Sequence, residues 1–544
     1  MAMTFQRIFS MKKIFSIFGI AAALCACSKE QLAQQDTNSG EEQTITATVV
    51  TDGASKVAFT DTEGSGLTSV WEEGDSFYAN AGSGFVKFVL TAGAGTATGT
   101  FQAKVKGVKD DTQWIAVIGG NAAVAGNGAE EIHCAFLEQT GLLSDIDNYS
   151  YMTAKGTGKT PVFNFSNGTK LSYILRVKLP AGIKCIEYTP CGYMKVTSSE
   201  SSSVYYNTGD GNNDYSKTST ISLQESTSAG DIVYIALPLL NYSRTLSSFA
   251  SGEQYGNLKA GVIITLLNND SDNADQSTGL VFEDNVTGKG GLIKTLDMSS
   301  MALIHRTKPS EAVLFSKTGD IQCKLHSSAL TQKATEVNTY WSPCNLGASK
   351  PSEVGGYFAL GEYEYGKSTY TFPSYTLRHS TKSTNRDDML SVDFNISGKK
   401  YGYTMCGSRY DAARVLWGQA WRMPHMIEAY AASYGNCSRT TLEGVAGIQF
   451  NGTTPLFIPN SRYMDGDKLN DSTTPHASDY SNDNYDCARF WSGDQLNRSY
   501  SNAGWNEVFT FGNTKDTSTD YDYWRRPRYF GFPIRPVLAS SVIK

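Results

Sequence analysis

The sequence predicts a mainly β chain, with two β-sandwich domains followed by an α+β domain. Three observations carry this. Glycine (51 residues) and tyrosine (30) are abundant alongside Ser, Thr and Asn, a composition that favours strands and turns over long helices. Apolar residues between 44 and 305 fall in short alternating or continuous runs separated by turn signals, with no helix of three turns bearing a clean apolar stripe. Composition then changes: arginine occurs before residue 340 only at 7, 176, 244 and 306, whereas thirteen follow, from Arg378 to Arg535. A chain of 544 residues is also too long for one core.

The strands follow in order. Thr44 to Val50 alternates and is β-branched, and Ser83 to Leu90 is a second such run. Small residues from Gly93 to Gly99 turn into a strand at Thr100-Phe101. Lys170 to Leu179, Asp231 to Leu240 and Ala260 to Leu267 are further strands, spaced as in a sandwich. The expected division is into sandwiches at 44–180 and 181–305, a linker at 306–334, and a last domain at 335–544, bounds that rest on the family resemblances given below. In that domain Ala412, Ala413 and Leu416 have helical spacing and Gly418 can stop the helix. A second helix is expected from His425 to Tyr434, with Pro424 at its first turn and Met426, Ala429 and Tyr430 at 3–4 spacing. Trp417 and Trp421 are expected to be core.

The N-terminus reads as an export signal. Met11-Lys12-Lys13 is a positive start, and Ile14 to Leu24 is a mostly apolar run of about ten residues, too short to span a bilayer as a helix. Leu24-Cys25-Ala26-Cys27 resembles the lipobox of bacterial lipoproteins. That resemblance implies residues 1–27 as leader and signal peptide, diacylglycerol on Cys27, and a membrane as partner through the lipid. The alternative is an ordinary secretory signal with a chance cysteine. Ser28 to Gln43 is polar and reads as a disordered tether. Export permits disulfides among the eight cysteines beyond Cys27, and buried thiols are equally open. No CxxC pair or Cys/His spacing suggests zinc, so neither metal nor cofactor is expected. The net charge of −6 gives no reason to expect nucleic acid as a partner.

Two family resemblances rest on short motifs. Ala58-Phe59-Thr60-Asp61, then Val70-Trp71-Glu72-Glu73-Gly74-Asp75, resemble the fimbrillin (Mfa-like) family of surface lipoproteins and pilus subunits. Val162-Phe163-Asn164-Phe165 also fits. Trp71 is expected in the core and Gly74-Asp75 in a turn, so the match speaks to fold. The family assembles by β-strand donation after cleavage at a basic residue. No arginine lies between Cys27 and Arg176, which leaves Lys56 as a possible processing position and weakens the case for a shaft subunit. In the last domain Trp341-Ser342-Pro343-Cys344, Gly355-Gly356-Tyr357-Phe358, Tyr410-Asp411-Ala412-Ala413-Arg414, Trp421-Arg422-Met423-Pro424 and Gly531-Phe532-Pro533-Ile534-Arg535 stand in order. This set is similar to the Fibrobacter major paralogous (FISUMP) domain, which implies a C-type-lectin-like fold.

Catalytic signals are poor. The six histidines are scattered without HExxH, and neither GxSxG nor a P-loop occurs. No carboxylate pair stands out for glycoside hydrolysis, so the chain is not expected to be an enzyme, and a polysaccharide-acting accessory enzyme is the lesser alternative. Trp505-Asn506-Glu507 is the nearest match to the calcium strand of C-type lectins, but Ile458-Pro459-Asn460 lacks the carboxylate of the companion loop, and calcium needs six to eight oxygens. Asp210 to Asp214 and Asn268 to Asp275 fail as EF-hand loops and read as solvated. Arg535 is expected to pair with an acid such as Glu362. Residues 460–530 are rich in Asn, Asp, Ser and Tyr. There Tyr463, Tyr480, Tyr485, Tyr500, Trp505, Asn506, Glu507, Tyr521, Tyr523 and Trp524 are candidate contacts for a glycan or surface-protein ligand. The reading is a lipid-anchored adhesin, with an outer-membrane, cell-surface location implied by the family resemblance. The alternative is a pilus anchor or tip whose partners are pilus subunits.

Overall fold

The computed structural model describes residues 41–51, 60–62, 66–68, 70–120, 122–125, 131–165, 168–189, 193–197, 202–205, 218–238, 261–283, 293–324, 331–371, 373–376, 392–470, 488–495, 505–511 and 521–544. Its described elements are mainly strands, with two short α-helices.

The first strand, Glu42–Val50, buries Ala47 and Val49 on one face, as its alternation requires. It runs antiparallel to Thr98–Lys106 along its whole length, from Glu42 opposite Lys106 to Val50 opposite Thr98, and parallel to Val162–Asn164. Phe85–Ala92, Ser76–Asn80, Gln113–Ile118, Met152–Thr157 and Thr169–Lys170 complete an eight-stranded sheet. One core takes Ile45, Val49, Phe77, Phe88 and Phe101 from it and Trp71 from the segment before Ser76–Asn80. Trp71 meets Phe101 edge to face at 4.8 Å, and the Gly74-Asp75 turn is closed by Asp75 Oδ2 accepting from Glu72 N at 2.8 Å. The opposite face buries Phe85, Ile115 and Val117 against Ile132, Cys134 and Phe136. Burial on both sides explains why Gln113–Ile118 is a continuous apolar run.

The second sandwich pairs Ser172–Lys178 with Ile232–Pro238 and, in parallel, with Ile293–Asp297. Facing it are Ser219–Ser222, Cys185–Thr189, Gly261–Leu267, Gln276–Glu283 and Ile304–His305 in that order. Leu175, Val177, Ile186, Ile235, Ile264 and Leu266 fill the space between. Ser172–Lys178 serves both cores, with Ile174 in the cluster of Phe85, Ile115 and Val117 and with Leu175 and Val177 in this one. A central strand apolar on both faces carries no periodicity that tells which sheet it joins.

The last domain starts earlier than composition suggests. Val313–Lys324 and Thr331–Trp341, the two longest strands among the described residues, form one antiparallel hairpin with a register shift between Thr318 and Ile321. The expected linker thus contributes a core strand. Ser316, Thr318 and Asp320 on its outer side and Lys317 over the Tyr430 and Tyr434 rings hide the pattern, while Phe315, Ile321 and Cys323 pack under the helix Met426–Ser433. Val537–Leu538 joins the hairpin to Trp421–Arg422, and Val542–Ile543 flanks it.

The two expected helices are present as Ala412–Trp417 and Met426–Ser433. Asp411 caps the first by accepting from Ala413 N and Arg414 N, and Gly418 ends it at φ 89°. Trp417 and Trp421 lie in the core, edge to face at 5.4 Å. This first helix also docks on the second sandwich. Val415 packs against Ile263 and Val281, and its carbonyl accepts from Thr265 Oγ1 at 2.8 Å. Arg306 donates from Nε to Trp417 O, from one terminal nitrogen to Ala274 O and from the other to Ser271 O, each at 2.7 Å. Glu187, from the sandwich, accepts from Gln419 N at 2.6 Å and lies 4.0 Å from Arg414. No helix among the described residues is long and apolar enough to cross a membrane.

Candidate functional site

The described residues of the expected ligand segment include a three-stranded sheet, with Trp505–Phe511 between Ala488–Trp491 and Tyr521–Pro527. Successive residues of a strand belong to opposite faces. The register therefore sets Glu507 opposite Arg525, Phe509 opposite Tyr523 and Phe511 opposite Tyr521 in one row with Trp505, and puts Asn506 opposite Arg526 and Val508 opposite Trp524 in the other. The candidates divide accordingly: Trp505, Glu507, Tyr521 and Tyr523 share a row, while Asn506 and Trp524 do not belong to it. Asn506 and Glu507 are thus placed on opposite faces of one strand. Leu456–Pro459, just before Asn460, is a buried strand.

Tyr463 is placed differently from a free ligand contact. It sits in the short strand Tyr463–Asp465, half-buried, stacked on Phe530 at 5.3 Å and on Phe532 at 5.5 Å. Tyr480, Tyr485, Tyr500, Cys27 and Lys56 lie outside the described residues.

Arg535 is fully buried, but Glu362 is not its partner. Its terminal nitrogens donate to Ser342 O and Phe457 O, each at 3.1 Å. Burial lowers its pKa to about 10. Glu362 instead pairs with Lys367 and accepts from Thr376 N at 2.6 Å. Arg535 closes the domain through backbone carbonyls, which no side-chain pattern announces.

Sequence reading missed a dense polar centre beside the N-terminus of the helix Met426–Ser433. Arg422 forms a two-pronged pair with Glu428 at 2.7 and 2.8 Å. Glu428 Oε2 also accepts from His425 N at 2.8 Å. Asp494 reaches this helix end from the strand Asp494–Gln495, opposite Thr404. Its Oδ2 accepts from Met426 N at 2.8 Å and from Gln332 Nε2 at 2.9 Å. Its Oδ1 lies 2.6 Å from His425 Nδ1, and Cys406 Sγ lies 3.7 Å from the same nitrogen.

Electrostatics follow from burial and pairing. Burial alone would raise the Asp494 and Glu428 carboxyls, but His425 on the first and Arg422 on the second hold both below their ordinary values. Burial pulls the His425 imidazole down, and charge and hydrogen bonds from Cys406 and Asp494 outweigh it, raising it to about 10. The Cys406 thiol is pushed up, chiefly by burial. Thiol and carboxylate thus address one ring nitrogen. A nucleophile–imidazole–carboxylate relay uses both ring nitrogens, so this trio is not arranged as a cysteine triad. Its atoms all lie within 4.8 Å of one another, as donors to a single cation do.

No family model matches the chain, and no curated protein does, so the fimbrillin and FISUMP motifs stand as resemblances. One solved structure with partial likeness is that of a candidate cell adhesion protein from Bacteroides ovatus. The two are 10% identical, the match covers 50% of this chain and 96% of that one, and the TM-score is 0.26. That degree of likeness assigns no function.

Proposed function

We propose that this protein is a lipid-tethered adhesin of a bacterial surface, whose last domain binds a glycan or a surface protein. Support comes from the order of parts: a lipobox-like Cys27, a polar tether, two β-sandwiches, then the domain that holds the Tyr/Asn/Asp-rich segment. One observation carries the choice of binding region. The register gathers Trp505, Glu507, Tyr521 and Tyr523 into a single row opposite or beside Arg525 and Phe509, and aromatic rings with polar edges suit both sugars and protein surfaces. The test is the full chain on glycan and surface-protein arrays, with and without calcium. Specific binding that disappears in the double variant Tyr521→Ala, Tyr523→Ala, while circular dichroism stays as in the unaltered chain, supports the reading. A folded chain that binds nothing on either array overturns it.

A second reading has its own observation. Glu42–Val50 lies between Thr98–Lys106 and Val162–Asn164, so its release would open a strand-wide groove over Phe101 and Phe163 of the core. Such a groove accepts a donated strand, which is the chemistry of a pilus anchor or tip subunit with Lys56 as the processing position. Pilus subunits that copurify with the full chain, and no longer do after deletion of residues 44–56, would favour this assembly role.

A further inference from the structure

We infer that Cys406, His425 and Asp494 form a binding site for a zinc-class divalent cation. The three donors are one thiol sulfur, one imidazole nitrogen and one carboxylate oxygen, the set zinc takes in mixed sites. They come from three separate segments: the loop after the strand Lys399–Thr404, the residue that caps Met426–Ser433, and the strand Asp494–Gln495. Tetrahedral zinc, with its sulfur at about 2.3 Å and nitrogen or oxygen at about 2.0–2.2 Å, sets sulfur and nitrogen about 3.5 Å apart and nitrogen and oxygen about 3.3 Å apart. The observed Sγ–Nδ1 distance is 3.7 Å and the Nδ1–Oδ1 distance 2.6 Å. Accepting the ion thus needs an opening of about 0.7 Å between imidazole and carboxylate. The Nδ1–Oδ1 contact is a hydrogen bond in which the protonated ring donates its Nδ1 proton to the carboxylate. Binding would release that proton and the thiol proton to solvent, leaving thiolate, neutral imidazole and carboxylate on the ion.

The surroundings favour a built site over a chance cluster. Asp494 keeps Oδ1 toward His425 because Oδ2 is held by Gln332 and Met426 N, which is how outer partners orient a metal ligand. Gln332 is itself fixed, its Oε1 accepting from Ile427 N at 3.0 Å. Gly493 stands where any Cβ would collide with Cys406 Sγ, so the absent side chain is what admits the sulfur. Cys406 is the least buried of the three residues. The spacing 406–425–494 explains why no sequence motif shows it.

The experiment uses the full chain, reduced, stripped with chelator, and titrated with Co²⁺ as the coloured stand-in for zinc. The expected result is one equivalent bound, with a thiolate-to-cobalt charge-transfer band that Zn²⁺ abolishes. Cys406→Ser should remove the band and weaken Zn²⁺ binding at least about 100-fold, since loss of an outer partner alone costs about 10–100-fold. Cys134→Ala, in the core of the first sandwich, should leave both unchanged. A folded, reduced, unaltered chain that gives no such band overturns the assignment, whatever the variants do. So does a band that survives Cys406→Ser. In either case the trio is a buried histidine–carboxylate pair beside a thiol.

Discussion

Replacing Arg306 by methionine tests whether the second sandwich and the last domain are one mechanical unit. The guanidinium is fully buried and gives three 2.7 Å bonds to carbonyls of Trp417, Ala274 and Ser271. Two of these acceptors are in the sandwich and one ends the helix Ala412–Trp417. Methionine fills much of the volume but leaves three carbonyls to find other donors, each at about 1–3 kcal/mol if unmet. It also removes a cation from the neighbourhood of Glu187, which is 1% exposed. The terms do not add, because a carbonyl has a second lone pair and the guanidinium's own desolvation is recovered. The working figure is about 3–5 kcal/mol, typical of removing one side of a buried charged contact. Arg306→Lys keeps the charge without the planar fork and should fall between methionine and the unaltered chain. Urea unfolding followed by tryptophan emission reads the effect, with hydrogen exchange over 412–417 reporting the joint itself. The unaltered chain should unfold these two parts together and Arg306→Met should separate them. A methionine variant within about 1 kcal/mol of the unaltered chain, with unchanged exchange over 412–417, would refute the reasoning.

Further outcomes follow from single contacts. Gly418→Ala forces a side chain into φ 89° and against Glu187, and should cost about 1–3 kcal/mol, read as a lowered melting midpoint. Trp71→Ala empties a core position that is 1% exposed and should cost about 3–5 kcal/mol, confined to the unfolding step of the first sandwich. Glu428→Gln leaves Arg422 buried without a counter-charge and should cost about 3–5 kcal/mol in chemical unfolding, while the double change Arg422→Met, Glu428→Leu should cost less.

Local elements were legible because their signals are local. The strands beginning at 42, 85, 98, 172, 232 and 261, and both helices, follow from alternation, capping residues and a stop glycine within one segment. Trp71, Trp417 and Trp421 as core follow from size and apolarity. What failed depends on pairing between distant segments. Val313–Lys324 reads as a linker because its inward residues are few and its outward ones polar, and only its partner strand makes it core. Arg535 offered no pattern because its acceptors are carbonyls. Gln332, Cys406, His425 and Asp494 each sit in an unremarkable local sequence, and the fold alone brings them together.

The joint also bears on how the last domain presents a ligand. On the adhesin reading, tension runs between lipid and ligand, through every contact that links the sandwiches to the last domain. A flexible linker would let that domain swivel. Here the chain passes from His305 through Arg306 into the hairpin strand Val313–Lys324 within a few residues, and Trp417 Nε1 donates to His305 O at 2.9 Å beside the Arg306 fork. The same helix is held by Thr265 and by packing on Ile263 and Val281. These are short-range contacts between buried groups, so they resist rotation as well as separation. One side of the helix Ala412–Trp417 is therefore committed to the sandwich, and Met426–Ser433 is committed to the hairpin. A partner must then meet the domain elsewhere, and the sheet of Ala488–Trp491, Trp505–Phe511 and Tyr521–Pro527 is the element to which the Tyr/Asn/Asp-rich segments connect. Separating the joint by Arg306→Met should thus leave static binding to an array intact while lowering retention of cells under flow. Loss of both together would mean that the joint shapes the ligand surface itself.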